Sequence, residues 1–210
     1  MPPTTKDRIL DSAELLFAEL GVSSTSLRTL TEHAGVNLAS VNYHFQSKDA
    51  LVQAVLFRRL NPINQKRMEL VNQLLHSAPG GRPALEDTLD AFYRPVVEAV
   101  FASRAAGRPI TALIGRIYTE PGELIAGQIR AMMSQVVSTF FDAIHLALPN
   151  LPQSTLFWRL QFSIGAMSHT FGAMHLIEGL ARGRVRTNDP EEILQELIRY
   201  AAGGLRSPAP

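Results

Sequence analysis

The sequence predicts an all-α protein, and three observations carry that reading. Apolar residues recur three and four positions apart through each regular stretch, the period of a helix with one buried face. No stretch alternates apolar and polar residues as a half-buried strand would. Glycine and proline punctuate the chain between these periodic stretches, most densely over Ser77-Ala-Pro-Gly-Gly-Arg-Pro83. Of 210 residues, 46% are hydrophobic and 19% charged, a balance that folds into a core and does not stay disordered.

Taken in order, Thr4 or Thr5 caps a first helix with Ile9, Leu10, Ala13, Leu16, Phe17 and Leu20 on one stripe, and Gly21 stops it. Ser26 caps a second, with Leu27, Leu30 and Ala34 inward, and Gly35 stops that one. Val36 plugs the turn and Asn37 caps a third helix, Leu38 to His44, whose Val41 and Phe45 point inward with Leu38 at the edge. Ser47 caps a fourth, with Leu51, Val52, Val55 and Leu56 inside. Pro62 is expected to break or kink it, because proline removes a backbone donor and clashes one turn back. A further helical stretch covers about 63–76.

Beyond the breaker, helices are expected over Leu85–Ala102, Pro109–Tyr118 and Gly122–Ala147, then from Pro152 to about Arg182. The last should start at Asp189-Pro190-Glu191-Glu192, a dense start signal of capping aspartate, proline at the first position and glutamate three after the cap. Arg159 to Glu178 encloses a stretch without charge that approaches bilayer length. It holds Gln161, Ser163, Ser168, His169, Thr170 and His175, which are costly in hydrocarbon, so no membrane partner is expected.

Several chemistries have no support. There is no cysteine, which removes disulfides, thiol catalysis and cysteine-ligated zinc. The histidines at 33, 44, 76, 145, 169 and 175 include no pair three or four apart, the spacing that puts two ligands on one helix face. No nucleophile elbow, phosphate-binding loop or His-Glu-x-x-His occurs, so neither an enzyme nor a cofactor is expected. The opening Met-Pro-Pro-Thr-Thr-Lys has no apolar signal region, which makes the cytoplasm the expected location.

What remains is the segment from Ser26 to Lys48: helix, three-residue turn, helix, the arrangement in which a second helix lies in the DNA major groove. Its outer face is Ala39, Ser40, Asn42, Tyr43 and His44, small or hydrogen-bonding and free of acid, with Lys48 one turn beyond. Charge totals give no help, since Lys6, Arg8, Arg28, Lys48, Arg58 and Arg59 face Asp7, Asp11, Glu14, Glu19, Glu32 and Asp49 over residues 1–60. The competing reading is a helical small-molecule-binding or scaffold protein in which the motif is only structural. A packing element, however, has no need of Arg28, Asn42, Tyr43, His44 and Lys48 on one exposed edge.

The stretch Asn37-Leu-Ala-Ser-Val-Asn-Tyr-His-Phe-Gln-Ser-Lys-Asp-Ala-Leu resembles the recognition helix and following cap of TetR/AcrR-family transcriptional regulators. Arg28-Thr-Leu-Thr-Glu-His-Ala-Gly-Val and the Ala13, Leu16, Phe17, Gly21 pattern match as well, so the resemblance covers roughly residues 5–60. It implies an N-terminal three-helix DNA-binding domain (1–60) and a C-terminal helical-bundle domain for ligand binding and dimerisation (61–210). It further implies a homodimeric repressor that a small molecule releases from a palindromic operator.

By that resemblance Arg28 and Lys48 grip phosphates, Tyr43 and His44 hold backbone, and Ala39, Ser40 and Asn42 face bases. Leu38 departs from the polar residue of many relatives and either packs inward or makes an apolar base contact. Candidate pocket residues are Phe92, Tyr93, Phe101, Tyr118, Met132, Met133, Phe140, Trp158 and Phe162. They suit an apolar ligand, a fatty-acyl compound among the candidates, with Arg116 and Arg130 available to a carboxylate or phosphate. Gly165, Gly172 and Gly179 recur at seven-residue steps, a seam where another backbone could approach. With Ile193 and Leu197 of the last helix they are assigned to the dimer interface, a helix of the same chain being the alternative partner.

Overall fold

The computed structural model describes residues 3–107 and 123–208. Among them run nine α-helices: α1 (Thr5–Leu20), α2 (Leu27–Ala34), α3 (Leu38–Phe45), α4 (Lys48–Ser77), α5 (Leu85–Ala105), α6 (Glu123–Ala147), α7 (Gln153–Gly172), α8 (Met174–Ala181) and α9 (Pro190–Arg206). The helix expected over Pro109–Tyr118 lies outside the described residues.

Local chemistry sets the helix ends. Thr4 Oγ1 accepts from the Asp7 backbone N–H at 3.2 Å while Asp7 Oδ2 accepts from Thr4 N–H at 3.1 Å, a reciprocal capping box. These bonds from Thr4 hold the Asp7 carboxyl below the usual carboxylate range. Gly21, at φ 88°, ends α1, and the buried Thr25 hydroxyl donates to its carbonyl at 2.7 Å. Ser47 Oγ accepts from Ala50 N–H at 3.1 Å at the start of α4. Asp189 Oδ1 accepts from both Glu191 and Glu192 N–H at 3.1 Å and so caps α9.

Contacts divide the chain into two units. The first joins Met1–Asn61 to Ser103–Met132. Its core is Ile9, Ala13, Leu16 and Phe17 of α1, Leu30 of α2, Val41 and Phe45 of α3, and Leu51, Val52 and Val55 of α4, all buried. Ile129 and Met132 of α6 pack against this core, and Gln128 Nε2 donates to the Asp49 carbonyl at 3.3 Å. The second unit is Pro62–Ala102 with Met133–Pro210. Here α7 and α9 pack together, burying Leu156, Leu160, Ile164, Leu194, Ile198 and Leu205. Arg94 ties α5 to α9 through Glu191 at 2.9 Å, and its pKa is raised first by its bonds to Asp90 and then by this one.

Two elements differ from expectation. Of the two outcomes expected at Pro62, a break or a kink, the break does not occur: α4 continues through it. One lost backbone donor is tolerable in a thirty-residue helix whose next turns are anchored: Ile63, Asn64, Arg67 and Val71 are all buried. The helix expected to reach Arg182 is instead two, because α7 stops at Gly172 and Ala173 leaves helical geometry at φ −107°, ψ 17° before α8 begins. Glycine is the weakest helix former short of proline, so it is a natural place for that break. None of the described helices is long and apolar enough to cross a membrane.

Candidate nucleic-acid interface

α2 and α3 are short helices of eight residues each, so their ends decide their geometry. Ser26 Oγ accepts from Thr29 N–H at 3.0 Å to open α2. α2 closes with a pair of crossed bonds, Val36 N–H to the Thr31 carbonyl at 3.0 Å and Gly35 N–H to the Glu32 carbonyl at 3.3 Å. That closure needs Gly35 in the left-handed region, at φ 62°. Asn37 Oδ1 then accepts from Ser40 N–H at 2.8 Å to start α3.

α3 has two unlike faces. Val41 and Phe45 are 1% and 5% exposed in the core of the first unit. Leu38 is 50% and Tyr43 83% exposed, and Ala39 and Asn42 are exposed beside them. Leu38 therefore does not pack into the core. Ser40 is half-buried and gives its hydroxyl to Asn37 at 2.9 Å, so it serves the cap. His44 is half-buried, with Tyr43 edge-on to its ring at 5.1 Å. Lys48 is half-buried at the first position of α4. Arg28 is exposed and its Nε donates to Glu32 at 3.0 Å.

The even charge count of this region is not evenly spread. Glu14, 2% exposed on α1, accepts from Arg58 at 2.7 Å and from Arg59 Nε at 2.7 Å, and Asp11 takes a second Arg58 nitrogen at 2.7 Å. Arg58 and Arg59 thus offset Asp11 and Glu14 between α4 and α1, Asp7 is turned to the α1 cap, and the outward face of α3 carries no carboxylate.

Sequence reasoning missed two residues that shape this surface. Arg8 of α1 reaches the Ala34 and Gly35 carbonyls at 2.7 and 3.0 Å, 26 and 27 positions away, a distance no local pattern spans. Gln46 sits at φ 63°, ψ −36°, and Ser47 N–H closes on the Phe45 carbonyl at 2.7 Å, making a strained γ-turn between α3 and α4.

The residues expected to line a pocket are not gathered in one place. Phe92, Tyr93 and Phe140 are buried in the second unit, Phe92 edge-on to Phe140 at 5.0 Å, with the buried Arg67 guanidinium 4.1 Å above the Phe92 ring. Phe101 and Met133 are half-buried in that unit, whereas Met132 packs in the first. Trp158 and Phe162 are 59% and 63% exposed on α7 and line no interior, because their helical phase opposes that of Leu156, Leu160 and Ile164. Tyr118 and Arg116 lie outside the described residues, and Arg130 is exposed.

Of the glycine seam, Gly165 and Gly179 face open space within the chain, and Gly172 ends α7, so the three do not share one helix. Ile193 and Leu197 are half-buried and line a groove of about 380 Å³ with Phe171, Met174, Ile177 and Tyr200.

Comparison with known proteins agrees with this architecture. A model of the TetR family of bacterial regulatory proteins matches residues 9–55, and one of the tetracyclin repressor-like C-terminal domain matches residues 90–204. The transcriptional repressor KstR2 of Rhodococcus jostii is 33% identical over 101 residues, 48% of this chain and 46% of KstR2, so the chain spans about half the length of that relative. The transcriptional regulator SrpR of Pseudomonas putida is 26% identical over 202 residues, 95% of this chain and 82% of SrpR. Among solved structures, AmtR of Mycobacterium smegmatis has the same fold with a TM-score of 0.63 at 20% identity, over 100% of this chain and 89% of that one. The chain belongs to the TetR family of bacterial regulatory proteins, a family of transcriptional regulators and not of enzymes.

Proposed function

We propose that this protein is a DNA-binding transcriptional repressor whose α3 reads bases in the major groove. The observation that carries this is the acid-free outer face of α3, with Leu38, Ala39 and Asn42 exposed on a helix whose inner face is locked in the core. Asn42 offers the paired donor and acceptor that match adenine, and Leu38 and Ala39 offer apolar contact to a thymine methyl. Tyr43, His44, Lys48 and Arg28 surround that face with donors for phosphates, which fix register without reading sequence.

The protein acts as a homodimer on a palindromic operator. One α3 has few base contacts, and two at fixed spacing multiply them across half-sites a helical turn or a multiple apart. Support for the dimer comes from α7, where Trp158, Phe162, Gly165, His169 and Gly172 follow at steps of four, three, four and three and so share one side of the helix. That side carries two exposed aromatics in contact, Trp158 and Phe162, with centroids 6.0 Å apart. Such a patch marks an interaction surface, and tryptophan is enriched at the centres of interfaces. An apolar small molecule, a fatty acid or acyl thioester among the candidates, releases the operator by favouring a conformation in which the two reading helices are wrongly spaced.

A gel shift on fragments of its own promoter region, repeated over a salt series, tests the DNA-binding reading. Sequence-selective retardation that weakens with salt is expected. No selectivity at any salt would sink it.

A further inference from the structure

The turn that launches α3 is held from outside the helix-turn-helix. At the end of α2 the crossed bonds from Gly35 and Val36 satisfy the Glu32 and Thr31 carbonyls. The carbonyls of Ala34 and Gly35, further along the chain, are beyond the reach of that pattern. Both accept from one nitrogen, Arg8 Nη2, at 2.7 and 3.0 Å. A cation at a helix C-terminus is also favoured by the helix dipole.

Gly35 is required here for two separate reasons. Its φ of 62° is a conformation that side chains resist, and a Cβ built on it would lie 2.8 Å from Arg8 Nη2. The guanidinium fills the space that the missing side chain leaves. Val36 and Asn37 follow at once, one packing on the core and the other capping α3, so the locked segment leads straight into the reading helix. α1, which supplies Arg8, is anchored by Ile9, Ala13, Leu16 and Phe17, all buried in the same core.

We infer that Arg8 is a positioning residue for base recognition: by pinning the Ala34–Gly35 turn to α1, it sets the orientation of α3 without touching a base. This rests on α3 being the DNA reader. Short side chains such as those of Ala39 and Asn42 move rigidly with their helix and must sit within roughly half an ångström of the productive geometry. Long chains such as Arg28 and Lys48 can follow a phosphate through small rotations. Loss of the lock therefore falls on sequence-specific binding and spares non-specific binding.

The test uses the full chain and a duplex that the wild type selects from a random pool, with a scrambled duplex beside it. Fluorescence anisotropy over a salt series compares wild type, Arg8→Met and Arg8→Lys, with circular dichroism to check folding. Arg8→Met should lose roughly tenfold on the selected duplex, the equivalent of one mismatched base pair. Its affinity for the scrambled duplex should stay within about twofold, with the salt slope unchanged. Arg8→Lys, which can still reach one carbonyl, should recover part of the loss.

Parallel losses on both duplexes, or a salt slope lower by about one, would make Arg8 a phosphate contact and overturn the inference. No loss on either duplex would make it a helix cap only, with the same result. Should Arg8→Met fail to fold, Arg8→Lys decides alone: loss confined to the selected duplex supports the lock, and equal or no loss overturns it. A wild type that selects no duplex at all refutes the DNA-reading assignment itself, a different failure from a wild type that discriminates while its Arg8 variants do not.

Discussion

The outward faces of α3 and α7 are both exposed, and they differ in how their chemistry is fixed. Around α3 every outward side chain except Leu38 is small or hydrogen-bonding, and polar caps at Ser26, Asn37 and Ser47 hold the backbone in register. Along α7 the outward side is dominated by the large aromatics Trp158 and Phe162 and by Gly165, which has no side chain, with His169 beside them, and Pro152 gives the helix no side-chain cap. A face that reads DNA must keep directional groups where they belong, so its surroundings are specified atom by atom. A face that pairs with its own copy needs only shape and apolar area, and several residue sets would serve equally well.

If this contrast holds, breaking the α7 face should cost most. Trp158→Glu combined with Phe162→Glu should shift the sedimentation profile to monomer and lower operator affinity about a hundredfold or more, because binding by two linked heads becomes binding by one. The fold should survive, since both side chains already face solvent. A dimer that persists in this variant removes α7 from the interface.

Changes around α3 should be smaller and divided by role. Tyr43→Ala or Lys48→Ala should weaken binding to all sequences by a similar factor, with a salt slope lower by about one for the lysine. Glu32→Ala should act in the opposite direction. It frees Arg28 from an exposed pair worth about 0.2–1 kcal/mol and removes an acid beside the phosphates, so titration should give a few-fold tighter binding.

The smallest effect lies away from both faces. The Tyr93 phenol is fully buried and no hydrogen bond of good geometry reaches it from the described residues; the nearby Ser163 hydroxyl donates to the Leu160 carbonyl at 2.7 Å. Burial pushes the phenol pKa up to about 12 from an ordinary value of 10.0. The folded state therefore holds this proton more tightly than the unfolded chain. Its contribution to stability is complete below pH 10 and is lost as the pH rises toward 12. Tyr93→Phe should leave neutral-pH stability unchanged or raise it by up to about 1 kcal/mol, and should flatten part of the alkaline decline in denaturant titrations. A clear loss of stability at pH 7 would mean that the phenol has a partner.

Much of this was legible in the sequence, because caps and glycine stops act locally. Ser26, Gly35, Asn37, Ser47 and Asp189 each mark a helix end that the structure has. What could not be read depended on tertiary contact. Pro62 is carried inside α4 because the turns after it are buried. Ile129 and Met132 have the same periodicity as the rest of α6, yet they pack in the first unit. Trp158 and Phe162 look like core residues by composition, and only the phase of α7 turns them outward. Arg8 was missed for the same reason, since its partners lie 26 and 27 positions away.

The most direct test of the central claim is a binding map over all single-base changes in one half-site, measured for wild type and for Asn42→Ala. The account predicts that the variant loses about 1–3 kcal/mol of discrimination at one position and keeps the wild-type profile at the others. An even loss across every position, or an unchanged map, would contradict it.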